Sequence, residues 1–355
     1  MNRFLKGLGL VLLVLALALA GLLIWLTVTE YKPEAIEQLE VSSGSETEAA
    51  ALDRELKILS WNIGYAGLGE ESDFFMDGGE DSRSADKEQV LEYLSGIRES
   101  LTAAEADLAL LQEVDIDSGR TYRIDQRDYL SLGSGVHALN YACDFVPIPL
   151  PPLGRVYSGI YTTSPSLDIS DSQRVSLPCP FSWPVSTANL KRCLLVSHIP
   201  IQDSDRELVI VNLHLEAYDD GEGKIAQTNM LKSIIEGEYE KGNYVIAGGD
   251  FNQIFPGGLE AWPNTHPENW LPGVLEEDML EEGWSFAYDL DVPSCRLLNQ
   301  PYEPEDVQDT QYYVIDGFII SPNVELLAVE TADLGFENSD HNPVMLTVSL
   351  ASEAA

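Results

Sequence analysis

The sequence predicts an α/β fold, a two-sheet β-sandwich flanked by helices and preceded by a single transmembrane helix. Three observations carry this expectation. An unbroken apolar stretch stands near the start, and short runs rich in β-branched residues recur through the rest. Between some of those runs lie segments with apolar residues at three and four spacing, without a strict strand-helix alternation. The 355 residues, 45% of them hydrophobic, suffice for a large core.

Gly7 to Val28 contains Thr27 as its one polar member. At about 1.5 Å per residue it reaches roughly 33 Å, the span of a bilayer core. Residues 1–28 therefore read as a membrane anchor. Arg3 and Lys6 precede the stretch and Glu30 follows it, which puts the N-terminus in the cytoplasm and the remaining chain outside. A cleaved signal peptide is the competing reading, because Ala18-Leu19-Ala20 resembles a cleavage site. The apolar residues that continue from Leu22 to Leu26 favour an uncleaved anchor. Residues 29–53, polar and acidic around Ser42, Ser43, Gly44, Ser45, Glu46 and Thr47, follow neither structural period and read as a flexible tether. Such a tether keeps the following domain close to the membrane surface.

In the expected domain, residues 54–351, strands are predicted at Leu56 to Ile63, Asp107 to Leu111, Tyr157 to Thr162, Cys193 to Ser197, Leu208 to Leu215, Tyr244 to Ala247, Tyr312 to Ile320 and Met345 to Leu350. Helices are predicted at Lys87 to Ala103 and Lys224 to Glu240. Residues 150–190 and 255–310, rich in Pro, Gly and aromatics, are expected to form loops at the rim of a site. Cys143, Cys179, Cys193 and Cys295 form no CxxC pair, so neither a zinc site nor a redox motif is indicated, and buried free thiols are expected.

Charge narrows the partners. Setting aside Arg3 and Lys6, 18 basic residues face 59 acidic ones, a net charge of −41 beyond residue 29. Such a surface repels polyanions, and no clustered Lys and Arg would grip long nucleic acid. Lipid-borne or small phosphates, met locally, fit better.

The polar residues of interest sit at strand ends: Asn62 in Ser60-Trp61-Asn62-Ile63-Gly64, Glu113 in Gln112-Glu113-Val114, and His214 in Asn212-Leu213-His214. Asp250 and Asn252 follow in Gly248-Gly249-Asp250-Phe251-Asn252, then Asp316 in Ile315-Asp316-Gly317, and finally Ser339-Asp340-His341-Asn342-Pro343-Val344. Each alone is an ordinary turn former or structural residue. Their joint occurrence, in order, is not ordinary. It resembles the endonuclease/exonuclease/phosphatase superfamily over about Leu56 to Leu350, and the Gly-Asp-Phe-Asn and Ser-Asp-His-Asn-Pro-Val segments are its most specific pieces.

The resemblance implies a deoxyribonuclease I-like four-layer sandwich and hydrolysis of a phosphoester, by a phosphodiesterase or phosphatase, through in-line attack of an activated water. That reaction needs a hard cation, for which oxygen ligands suit Mg²⁺, with Mn²⁺ as an alternative. Glu113, Asn62 and Asp340 are the expected metal ligands. Asp250 and Asn252 are expected to orient water and to donate to the phosphate, with the preceding glycines permitting close backbone approach. His341 matches the family's general base or phosphate donor, Asp316 the residue that holds this His or contributes to the metal site, and His214 a second His that contacts phosphate or protonates the leaving group. Arg296 resembles a phosphate-side residue, with a surface ion pair as the blander reading.

The loops Asp73 to Gly79, Leu190 to Cys193 and Glu216 to Gly221 depart from the nuclease and 5-phosphatase patterns, which leaves the substrate open between lipid headgroups, small phosphoesters and, less favoured, nucleic acid. A catalytically silent binding domain is the alternative of a different class, and the presence of all the central residues counts against it.

Overall fold

The computed structural model describes every residue except 1, 43, 45, 46, 85, 147–151, 220, 268, 304–309 and 353–355. Ser43, Ser45 and Glu46 of the expected tether and Asp220 of one rim loop thus lie outside the described residues.

The apolar stretch forms one helix, α1 (Asn2–Thr29), long and apolar enough to cross a membrane. The segment after it is not a free tether. β1 (Ile36–Gln38) pairs antiparallel with Asp171–Ser176, and bridges join Ser42 to Gly135, Glu48 to Leu167 and Ala50 to Ile201. Leu39, Val41 and Leu52 pack against the core, and Ala50 is fully buried in it. These apolar residues are too few and too scattered to give a periodic signal, yet enough to hold an extended chain along a surface.

The remaining principal elements are β2 (Glu55–Asn62), α2 (Lys87–Ala103), β3 (Leu108–Asp115), β4 (Ser134–Val146), β5 (Gly154–Ser164), β6 (Asp171–Ser176), β7 (Cys193–Pro200), β8 (Glu207–His214), α3 (Glu222–Glu240), β9 (Tyr244–Asp250), β10 (Ser285–Ala287), β11 (Asp316–Ile320), β12 (Val324–Thr331) and β13 (Val344–Leu350). Among the described residues they build two mixed sheets, ordered β1-β6-β7-β8-β9-β11-β10 and β12-β13-β2-β3-β5-β4. Each sheet has a parallel pair near its centre, β8 with β9 and β2 with β3, joined by the crossover helices α3 and α2.

The layers follow from alternation along the strands. In β2, Leu56 and Ile58 enter the core between the sheets, where Leu110, Ile210, Ile246 and Leu346 meet them. Leu59 and Trp61 point the other way, beneath Val90, Leu94 and Ile97 of α2. On the far side Val209, Val211 and Val245 lie under Leu231 and Ile235 of α3. Both faces of the central strands are buried, which is why they read as apolar runs rather than alternating ones. The Asp86 carboxylate caps α2 by accepting from the Gln89 amide at 3.0 Å.

Sequence periodicity misses β4, β6 and β12. All are at or next to a sheet edge, where Gly, His, Asn, Gln and Glu interrupt the apolar pattern. The run from Tyr312 to Ile320, expected as one strand, breaks: Tyr312–Tyr313 pairs with Cys295–Arg296, and β11 begins at Asp316.

Candidate active site

Strand ends from both sheets deliver the expected residues to one end of the sandwich. Asn62 ends β2 and Glu113 lies near the end of β3, while His214 and Asp250 end the other parallel pair in direct register. Asp316 opens β11 opposite Asp250, and Asp340 and His341 immediately precede β13. Ligand sites of mixed sheets form at such carboxyl ends. Glu113 has φ 57° inside a register irregularity of β3 against β5 between Leu111 and Val114, a kink that turns its carboxylate toward the site.

His341 is the hub. Its Nδ1 lies 2.8 Å from Asp316 Oδ2, and the Ser294 hydroxyl donates to the same oxygen at 2.8 Å while accepting from the amides of Ile315 and Asp316. The Trp61 indole N–H holds the His341 carbonyl at 2.8 Å. The other ring nitrogen, Nε2, is 3.4 Å from Asn62 Nδ2, 3.8 Å from Asp340 Oδ2 and 3.9 Å from Asp250 Oδ2. Burial alone would lower the His341 pKa, but Asp316, the Cys295 thiol and Asp340 outweigh it and hold the imidazole well above its ordinary value. His214 is the opposite case. Burial, reinforced by Arg192 and His341, keeps it well below the ordinary value, and its Nε2 lies 3.4 Å from Asp250 Oδ2.

Asp250 sits between the two imidazoles. Burial and the neighbouring Asp316 raise its pKa to about 7. Burial and Glu113 likewise raise Asp340 to about 7. The Asn62 amide donates to Asp250 Oδ2 at 3.0 Å and reaches Glu113 Oε1 at 3.5 Å, while its carbonyl accepts from the Gly64 amide. Asn62 thus links two carboxylates of the site. Asn252 differs from expectation. At φ 50° the segment is not extended there, and its amide is engaged by the Leu215 carbonyl at 2.9 Å and Asp250 Oδ2 at 3.3 Å, so it braces Asp250.

Two groupings of candidate ligand atoms lie within 4.8 Å of one another among the described residues: Asp250, Asp316 and His341, and Cys295, Asp340 and His341. Glu113 joins neither at that spacing, yet it stands beside both other members of the expected trio: its Oε1 is 3.5 Å from Asn62 Nδ2, and its charge raises the Asp340 pKa. The donor set still fits a hard divalent cation. Buried carboxylates cluster about His341. Burial and Asp316 drive Asp250 toward neutrality, burial and Glu113 do the same to Asp340, and Asp316 Oδ1 is buried without a hydrogen-bond partner among the described residues.

Other residues of the site carried no sequence signal. Ser294 is a lone serine, yet it fixes Asp316. Asp77, buried and raised to about 6, accepts from the Tyr218 hydroxyl at 3.0 Å, and Tyr218 packs beside Trp270, forming a wall next to Glu113 and His341. Arg296 is neither a phosphate contact nor a surface ion pair. It is buried, and its guanidinium donates to the carbonyls of Gly69, Ser72 and Gln300, pinning the loop after β2. Cys143, Cys193 and Cys295 are buried free thiols as expected, whereas Cys179 is exposed.

No protein-family model and no curated protein matches the sequence. Solved structures do match in shape. An endonuclease/exonuclease/phosphatase from Beutenbergia cavernae superposes with a TM-score of 0.55 at 17% identity, covering 84% of this chain and 72% of that one. An endonuclease/exonuclease/phosphatase family protein from Bacteroides thetaiotaomicron gives 0.53 at 16% identity, covering 84% of this chain and 99% of that one. Two mixed sheets between flanking helices, with this arrangement of strands, are the deoxyribonuclease I-like fold expected from the sequence.

Proposed function

We propose that this chain, which has the fold of the endonuclease/exonuclease/phosphatase proteins, is a membrane-anchored Mg²⁺-dependent phosphoester hydrolase. Its N-terminus is cytoplasmic and its catalytic domain extracytoplasmic. Lipid headgroups or small phosphoesters are its favoured substrates. The observation that carries the reading is the convergence of two imidazoles on one buried carboxylate, His341 and His214 about Asp250, with Ser294 and Asp316 fixing the first.

The residues divide the work of an in-line displacement. Asp250, poised near neutrality and fixed by Asn62 and Asn252, accepts a proton as water attacks phosphorus. His341, kept protonated by Asp316, donates from Nε2 to a phosphoryl oxygen as charge builds there. The phosphorus–oxygen bond opposite the attacking water breaks, and His214, bearing no charge of its own, hydrogen-bonds the departing oxygen. Glu113 and Asp340 supply carboxylates for the cation, which when bound would neutralise phosphate charge and lower the pKa of water, with Mn²⁺ as a substitute for Mg²⁺.

The test is turnover of bis-p-nitrophenyl phosphate by the full chain in detergent, with Mg²⁺ or with EDTA. The expected result is metal-dependent hydrolysis that falls at least about a thousandfold in His341→Ala, the loss of a positioned donor and its charge. Equal turnover in the variant would remove His341 from the mechanism. No turnover by the unaltered chain on this ester or on phospholipid would favour a silent binding domain.

A further inference from the structure

The last turns of α1 are bound to the rim of the candidate site. Leu26 is buried against the domain, the Trp25 ring meets Phe145 edge-on at 6.0 Å, and the Trp183 indole donates to the Thr27 hydroxyl at 3.0 Å. Just past the helix, the Glu30 carboxylate takes the Lys191 ammonium at 2.9 Å. Phe145 lies near the end of β4, and Trp183 and Lys191 belong to the connection from β6 to β7.

Register places both at the catalytic end. Cys193 precedes Leu194, which pairs with Leu213 next to His214, and Val146 pairs with Gly154 beyond the Asp115–Ser158 pair that follows Glu113. The residue after Lys191 closes the distance, because Arg192 donates to the His214 carbonyl at 3.3 Å and faces Glu216 at 3.6 Å. From that end, residues 30–53 run down the sandwich to the opposite one, fixed by β1 and the three bridges. The helix therefore joins the domain beside its active end, on a connection held at β1, Ser42, Glu48 and Ala50.

Depth supplies the next step. Trp25 lies three residues inside Val28, about 4.5 Å from the end of the apolar stretch at the helical rise. Phe145 and Trp183 touch Trp25 and Thr27, so they stand level with the last apolar turn of α1. Although they contact the helix, Trp183 remains 60% exposed and Phe145 38%, and neighbouring Val185 is 57% exposed. Large apolar side chains clustered at the mouth of a spanning helix, with indole and ring at headgroup depth, match the interfacial belt of membrane proteins.

We propose that this patch, Phe145, Trp183 and Val185, docks into the interface of the bilayer that α1 crosses and seats the catalytic rim at headgroup level, so that the substrate is a phosphoester carried by a lipid of the same leaflet. The second half rests on the hydrolase reading; the docking itself does not. Contact is apolar, so it needs no anionic lipid, in keeping with a domain whose acidity would be repelled by one.

The experiment uses the full chain reconstituted in phosphatidylcholine vesicles with acyl chains brominated near the headgroup. Trp183→Phe is expected to lose part of the tryptophan quenching, because an interfacial indole has been removed; quenching unchanged by the substitution overturns the docking surface. In the same vesicles, Phe145→Ser with Val185→Ser is expected to slow hydrolysis of the lipid-borne phosphoester roughly tenfold, the loss of two apolar anchors. Soluble bis-p-nitrophenyl phosphate should be cut within about twofold of the unaltered rate. Equal rates on the lipid-borne ester overturn the seating of the catalytic rim by this patch, and an unaltered chain that cuts the soluble ester but not the lipid-borne one overturns the lipid substrate. An unaltered chain that cuts neither ester overturns the hydrolase reading and the lipid substrate with it, and the quenching then decides the docking by itself.

Discussion

Asp250 and Asp340 are acids that the fold buries at a cost. Their folded pKa values, about 7, stand above the 3.8 of a free Asp. The unfolded chain therefore releases protons that the folded one retains. Stability from these groups is full below about pH 4 and is lost as the pH rises through 7. A cation among the carboxylates reverses this, since it favours the charged forms. With EDTA, the melting midpoint at pH 8 is expected to lie about 5 °C below that of Asp250→Asn/Asp340→Asn, and Mg²⁺ should raise the unaltered chain far more at pH 8 than at pH 5.5. Calorimetry at the two pH values checks this; a Mg²⁺ shift equal at both would detach these carboxylates from the metal. The same residues show what a sequence can disclose. Asp250, Asp340 and His341 were legible through the Gly-Asp-Phe-Asn and Ser-Asp-His-Asn-Pro-Val segments, and Asp316 through its place in the ordered set, although the strand it opens was expected to begin at Tyr312. The hydrogen-bond partners of Asn62 and Asn252 were not, because an amide can donate or accept and its partners lie far away in the chain or across a tight turn. Ser294 was invisible, since what makes it matter is Asp316 arriving from another strand.

At the element scale, Gly249 explains why β8 and β9 can run side by side at the site. A Cβ there would lie 1.9 Å from the Leu213 carbonyl oxygen, and its φ is +152°. The glycines before Asp250 were expected to permit close backbone approach, and what approaches is Leu213 of the neighbouring strand at Gly249 and the ring of Phe318 at Gly248. Gly249→Ala is expected to destabilise the domain by about 3 kcal/mol or more, through overpacking and backbone displacement, as measured by urea unfolding. A loss below about 1 kcal/mol would mean that the pair can part without disturbing the sheet. The helices and the central strands were readable because each buries a continuous stripe or two full faces. The lacing of residues 30–53 was not, because its hold depends on single residues, such as Ala50 against Ile201, that meet partners more than a hundred positions away. An extended segment pinned at intervals has the local composition of a tether and the mechanics of a strap.

At the scale of the whole molecule, charge separates the substrate classes. With 59 acidic residues against 18 basic ones beyond residue 29, the chain past the helix repels a polyanion until salt screens the field, within about 10 Å at 0.1 M. An enzyme that grips DNA through many phosphates responds in the opposite sense, because salt weakens counterion-releasing contacts and its apparent affinity falls steeply. Between about 20 and about 300 mM NaCl, any cleavage of plasmid DNA by this chain is expected to stay flat or rise, as repulsion is screened. Bis-p-nitrophenyl phosphate carries a single charge, so its rate should change less than about twofold over the same range. A steep fall confined to the DNA would reveal a cationic track that the sequence composition conceals, and would move the substrate from the membrane surface to nucleic acid. A flat or rising response leaves the acidic surface as a filter against polyanions, in keeping with the proposed lipid-borne substrate.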